Sequence, residues 1–276
     1  MITGLVLLVG GAAAGVFGSL LGLGGGVLIV PLLTLGFGLP LRESVSVSLV
    51  SVIVTSSAGA SVYLKKHVAN LRLGMVLELF SASGALVGGL VAFLLSEQVL
   101  AGLFAALLLW VAVSMLRRSG RSEAPAPAAA AAADDRDPPG EPTFTDTLAG
   151  PGYRVRRLPL GMAGSALAGL VSALLGVGGG IIKVPAMHLA MGVPLRVATA
   201  TSNMMIGITA TSSAVIYLLR GQIDPFVAGP TAIGVFAGAT LGSRIAHRVD
   251  TRILRLLFVA VLLYTAFEMA QRALGL

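Results

Sequence analysis

Two glycine runs and one lysine hold the most chemistry in this sequence. Gly22-Leu23-Gly24-Gly25-Gly26 and Gly176-Val177-Gly178-Gly179-Gly180 lie inside long apolar stretches. Each glycine costs a helix about 1 kcal/mol relative to alanine, so such a cluster favours a break. A helix that restarts after the break offers free N–H groups and a partial positive charge, which suits an anion. Lys183 stands three residues (183 − 180) beyond the second run. A charge at membrane depth is costly and marks function by default; snorkelling to the nearer boundary is its competing role. Ser46 and Ser48, then Thr201, Ser202 and Asn203, follow the two glycine runs and offer neutral hydrogen-bond donors. Asn203, with two amide N–H donors, is the strongest of these. Against each hydroxyl stands the ordinary habit of membrane serines and threonines, bonding their own helix or a neighbour. The expected binding set is therefore Gly24, Gly25, Gly26, Ser46, Ser48, Gly178, Gly179, Gly180, Lys183, Thr201, Ser202 and Asn203. Glu78, barely two turns from Arg72, reads as interfacial, and His188 as a packing residue. Neither is assigned a proton relay, and Arg42 and Arg196 read as topological anchors as readily as steering charges.

The elements that must position these residues are membrane helices. The 276 residues are 56% hydrophobic and 11% charged, with a mean hydropathy of +0.93. Soluble domains carry roughly 25% charged residues to cover a wet surface. No charge occurs over residues 1–41, 98–115, 197–219 or 225–243, and about 20 apolar residues span a bilayer as a helix. The net charge of +7 sits in short turns between apolar runs, as topology signals do, and forms no basic face for nucleic acid. Cysteine is absent, so disulfides and thiolate metal sites are excluded. No basic region precedes the first apolar run, which therefore reads as a retained helix rather than a cleaved leader.

The chain is also a duplication. Gly15 to Gly26 recurs as Gly169 to Gly180, an offset of 154 (169 − 15). The same offset carries Val30-Pro31 onto Val184-Pro185 and Pro40-Leu41-Arg42 onto Pro194-Leu195-Arg196. It also carries Thr55 onto Thr209, Tyr63-Leu64 onto Tyr217-Leu218, and Gly84 and Gly88 onto Gly238 and Gly242. The lone GxxxG spacing of those last pairs points to close helix packing. Between the halves lie Ala124-Pro125-Ala126-Pro127, an alanine run and Asp134-Asp135-Arg136-Asp137, a composition for a mobile linker. The expected division is a first membrane repeat over 1–118, a cytoplasmic linker over 119–157 and a second, inverted repeat over 158–276.

Inversion follows from the charges of matching turns. Lys65, Lys66, His67 and Arg72 crowd one turn of the first half, whereas its mate after Leu219 balances Arg220 with Asp224. His247, Arg248, Arg252 and Arg255 crowd a different turn of the second half, whose mate near Ser96 has no basic residue. Cytoplasmic loops carry the Lys/Arg excess, so matching turns lie on opposite sides. Arg117, Arg118, Arg121, Arg154, Arg156 and Arg157 place the linker inside. The fold expected is an all-α integral membrane protein, an inverted repeat of two five-segment halves with about ten membrane segments. The short segments 25–39 and 180–193 are candidates for re-entrant, glycine-broken helices near the midplane.

The duplicated glycines, followed by Val30-Pro31 or Val184-Pro185 and then Pro40 or Pro194, resemble the sulfite exporter TauE/SafE family, also called the toluene-sulfonate uptake permease family. Ala200-Thr201-Ser202, His67-Val68 and Gly221-Gln222-Ile223-Asp224 are similar to its polar elements, and only the linker falls outside the likeness. The first half departs from the pattern, with Val45-Ser46-Val47-Ser48 where the second has Thr199-Ala200-Thr201-Ser202-Asn203. The resemblance implies a multi-pass carrier of the bacterial cytoplasmic membrane for a small sulfur-containing anion, sulfite or an organosulfonate. It leaves open the anion, the direction, the oligomeric state and whether a proton or sodium ion is coupled. No catalytic residue, metal or cofactor is expected, since no H-E-x-x-H cluster occurs and Gly18-Ser19 has no local base. An anion-conducting channel and a carrier for another small organic anion are the alternatives.

Overall fold

A computed structural model describes residues 2–20, 26–65, 68–118, 148–150, 152–245 and 251–275. The central part of the linker, Lys66, His67, His247, Arg248 and residues 21–25 lie outside the described residues. Ten helices occur among the described residues. They are α1 (Ile2–Leu20), α2 (Gly26–Pro31), α3 (Leu41–Lys65), α4 (Leu71–Leu94) and α5 (Glu97–Arg118), then α6 (Leu158–Leu175), α7 (Gly180–Pro185), α8 (Leu195–Leu219), α9 (Pro225–Ile245) and α10 (Thr251–Leu274). No strand is present among the described residues beyond an isolated bridge between Gly150 and Tyr153. Seven of the helices are long and apolar enough to cross a bilayer, and the chain is an integral membrane protein.

Helix starts repeat with the sequence offset: Gly26 and Gly180, Leu41 and Leu195, Leu71 and Pro225, Glu97 and Thr251 are each 154 apart. The local causes repeat as well. Pro31 and Pro185 lack the N–H that would continue the helix ladder, and the chain widens into π-helical turns over Leu32–Gly36 and Ala186–Ala190. Gly38 and Gly192 then take φ of +67° and +72°, ending each turn. Leu39 N–H donates to Leu33 O and Val193 N–H to Met187 O, closing both turns alike.

Each short helix folds back beside the one before it. A side chain at Gly179 would meet Ala168 and Ser172 of α6, one at Gly164 would meet Ala186, and one at Gly161 would meet Met191. The chain therefore descends along α6 and returns along α7. The apolar helical stretches Gly26–Gly36 and Gly180–Ala190 reach only about 16 Å at 1.5 Å per residue. That is half of the roughly 30 Å hydrocarbon layer. Among the described residues, 26–39 and 180–193 thus form short returning arms, because proline and glycine stop their helices after about three turns.

The halves interlock through exchanged pairs. Helix α4 packs on α6 while its mate α9 packs on α1; α3 packs on α8 and α5 on α10. The GxxxG glycines sit where these pairs touch. Gly84 and Gly88 face the carbonyls of Ala166 and Leu170, and Gly238 and Gly242 face those of Ala12 and Val16. Close packing, the role expected from a lone GxxxG, is what these four glycines do.

Candidate functional site between the broken helices

The returning arms meet between α3 and α8. Gly176, Gly178 and Gly179 adopt φ of +71°, +81° and +72°, a left-handed run that L side chains rarely tolerate, which explains the cluster at this tip. Ser48 Oγ donates toward Gly176 O at 2.7 Å and lies 3.1 Å from Gly26 O, tying both arms to α3. Side chains at Gly178 or Gly180 would strike Ile206 of α8, so backbone lies directly against that helix. Tyr217 of α8 donates its hydroxyl to Ala173 O at 3.0 Å and holds the α6 end of the same tip.

One helical turn past the tip, Lys183 is completely buried. Its Nζ lies 3.2 Å from Glu78 Oε2 of α4 and donates to Thr209 Oγ1 of α8 at 2.5 Å. Thr209 Oγ1 lies 2.7 Å from Glu78 Oε1, 3.0 Å from Ser81 Oγ and 3.1 Å from Met205 O. Three helices thus converge on one ion pair, with Thr209 the fifteenth of α8's 25 residues (209 − 195 + 1). Snorkelling is ruled out for Lys183, whose ammonium turns inward. The interfacial reading of Glu78 is corrected for the same reason: the residue is 6% exposed and its carboxylate faces Lys183 of the arm.

The other expected site residues divide. Ser202 is buried with no hydrogen-bond partner among the described residues, and its Oγ lies 3.5 Å from where a side chain at Gly180 would begin. Ser172 of α6 is likewise buried and unpartnered, against Gly179. Buried hydroxyls without partners are rare and call for an explanation; two flank this tip. Ser46 and Thr201 do not join it. Ser46 Oγ lies 2.7 Å from both Glu43 O and Gln222 O, either of which can accept its one O–H, at the start of α3. Thr201 Oγ1 accepts from Asn70 N–H at 2.9 Å at the start of α8, where Asn70 also caps α4 and bonds Leu148 O and the Tyr153 hydroxyl. Helices α3 and α8 run antiparallel, so these residues sit at opposite ends of the pair. Asn203, half-buried, places its amide 3.3 Å from Thr199 O of its own helix and its Oδ1 toward Gly59 of α3. Gly24 and Gly25 lie outside the described residues. Arg42 donates to Ala92 O and Leu95 O at the end of α4, an anchoring role, and His188 bonds Val193 O at 2.9 Å. No cluster of metal-ligating side chains occurs among the described residues.

Sequence reasoning missed Glu78, Thr209, Ser81 and Ser172 as one group with the arm. The available signal was Glu78 itself, an acid seven residues into an apolar span (78 − 71), which needs a cation that only a distant segment supplies.

A duplicated helical unit, with a helix pair broken at the buried left-handed glycine tip between α6 and α7, is an arrangement met in membrane transporters. The sequence pattern described as "Sulfite exporter TauE/SafE" matches residues 7–269, and the chain belongs to that family. It is 27% identical over 266 residues to the probable membrane transporter protein YunE of Bacillus subtilis, covering 94% of each chain. It is 26% identical over 275 residues to the probable membrane transporter protein MJ0441 of Methanocaldococcus jannaschii, covering 93% of this chain and 91% of that one. Sulfite exporter TauE/SafE family protein 6 of Arabidopsis thaliana is 39% identical over 85 residues, 31% of this chain and 20% of that one. No solved structure matches it significantly.

Proposed function

We propose that this protein is a secondary carrier that moves a small sulfur-containing anion, sulfite or an organosulfonate, across the cytoplasmic membrane by alternating access. The buried Lys183, three residues past the glycine break, carries this reading: it is a cation one helical turn from a tip flanked by Ser172 and Ser202, buried hydroxyls without a partner among the described residues. Ser172, Ser202 and the N–H groups of Gly179 and Gly180 would bind the anion's oxygens, and Lys183 its charge. The family name, sulfite exporter, supports this substrate class.

Alternating access would move one half against the other around the tips, with the halves taken as 1–118 and 158–276 and residues 119–157 as a cytoplasmic linker. In this reading the repeats are inverted, both termini face outside, the membrane is the bacterial inner membrane, and transport rather than catalysis is the activity. The exchanged α4–α6 and α1–α9 pairs and the opposite charges of matching turns support it.

The test is thermal stabilisation of the purified protein by sulfite, sulfate, thiosulfate, taurine and methanesulfonate. A ligand of the folded state at 100 times its Kd adds about 2.7 kcal/mol. At least one sulfur anion is expected to raise the melting temperature by several degrees, and Lys183→Gln to abolish the rise. Stabilisation by cations alone would overturn the anion reading.

A further inference from the structure

The duplication provides an internal control for the buried ion pair. Shifting by 154 residues carries Lys183 to Ile29, Glu78 to Ala232, Ser81 to Val235 and Thr209 to Thr55. Ile29, Ala232 and Val235 are all buried, in the helices that mirror α7 and α4. The same scaffold is therefore built twice, once around an apolar group and once around an ion pair. Packing does not demand the charges, and well-packed apolar residues commonly serve a fold as well as a buried pair does. What the second copy has gained is a charge device.

Charge balance says what the device does. Lys183 ammonium and Glu78 carboxylate sum to zero. Elsewhere the packed elements offer little: α6 has no titratable side chain, α4 adds only Arg72 in its exposed first turn, and α8 only the exposed Arg196 and Tyr217, whose hydroxyl is committed to Ala173 O at the tip. In the arm itself His188 follows Lys183 and bonds Val193 O. An anion that takes Lys183 as its partner would leave two negative charges around one ammonium in a dry site, where an uncompensated charge is strongly disfavoured. A proton on the Glu78 carboxylate removes that cost.

We infer that Glu78 is the proton-carrying counter-charge of Lys183, so that each anion enters the site together with one proton. This rests on the carrier reading above and names its coupling ion. In the empty site Lys183 pairs with Glu78. On loading, Glu78-COO⁻ and one H⁺ from water become Glu78-COOH, Lys183 keeps its own proton, and the anion replaces the carboxylate as its partner; release reverses both steps. The neighbours can follow the change. Thr209 has one O–H and two acceptor positions, and both Glu78 Oε1 and Met205 O lie within reach. Its hydroxyl donates to the carboxylate when Glu78 is charged. It turns to Met205 O and accepts when Glu78 is protonated, with Ser81 as a second neighbour at 3.0 Å.

The experiment uses the full chain in proteoliposomes with the membrane potential clamped at zero, and methanesulfonate and sulfite as probes. Methanesulfonate carries a fixed charge, so any proton that moves with it is held by the protein. A gradient of one pH unit, alkaline inside, is expected to concentrate methanesulfonate about tenfold, one decade per proton. Glu78→Gln should still exchange the anion but lose gradient-driven accumulation. Glu78→Ala with Ser81→Val and Lys183→Ile, which copies the apolar mate, should keep the melting temperature and abolish anion flux. Accumulation that ignores the pH gradient in the wild type, tenfold accumulation by Glu78→Gln, or wild-type flux in the apolar variant would each overturn the inference while leaving the carrier intact. A wild-type protein that moves neither probe overturns the carrier reading and this inference together.

Discussion

Lys183→Met is expected to destabilise the protein by about 3–5 kcal/mol, the cost of leaving a buried charge without its partner. The effect is this large because Glu78 faces Lys183 and two hydroxyls, with no second cation on α6 or nearby on α4 and α8. Methionine fills the volume of the lysine stem, so the loss reports charge rather than a cavity. Adding Glu78→Leu to Lys183→Met should recover most of that loss, because removing both charges leaves no uncompensated ion. Thermal unfolding in one detergent, read as a double-mutant cycle over the four proteins, measures the coupling directly. Additive effects of the two substitutions would show that the pair does not form.

Gly169→Val should be nearly as damaging, by about 3 kcal/mol, at the upper end of the cost of overpacking. Gly169 of α6 lies directly against the Ser81 carbonyl of α4, so any β-carbon must push the two backbones apart. Small residues allow such approach in membranes, where packing rather than hydrophobicity holds helices together. Its mate Gly15 meets the Val235 carbonyl of α9 in the same way, and Gly15→Val should cost a similar amount. A valine at Gly229, where nothing lies within 4 Å, is the control and should leave the melting temperature close to wild type. Gly169→Val, however, also shifts α4, which carries Glu78, so transport should fall further than stability alone explains.

Much of this architecture was legible in the residues. Periods of uncharged sequence marked the spans, and a constant offset marked the duplication down to matching helix starts at Leu41 and Leu195. Glycine clusters marked the breaks because left-handed backbone needs glycine, as Gly176, Gly178 and Gly179 show. Partner choice was not legible. Lys183 and Glu78 are 105 residues apart and meet only because α6 carries the arm against α4. Hydroxyl roles were equally hidden: Ser46, Ser48, Thr201 and Ser202 are alike in type and spacing, yet two secure helix ends, one ties the arms and one is buried without a partner among the described residues. Local sequence records the helix and its breaks; which side chains share a buried pocket is decided by the tertiary packing that the sequence encodes only collectively.

The most direct test of the carrier reading is counterflow. Proteoliposomes preloaded with unlabelled methanesulfonate or sulfite and diluted into a trace of the labelled anion should take up label faster than empty ones, with a rate that saturates as the outside concentration rises. Lys183→Gln should abolish that stimulation. Flux that does not saturate and ignores the preloaded anion would mark a pore, and no flux of either sulfur anion would contradict the account at its centre.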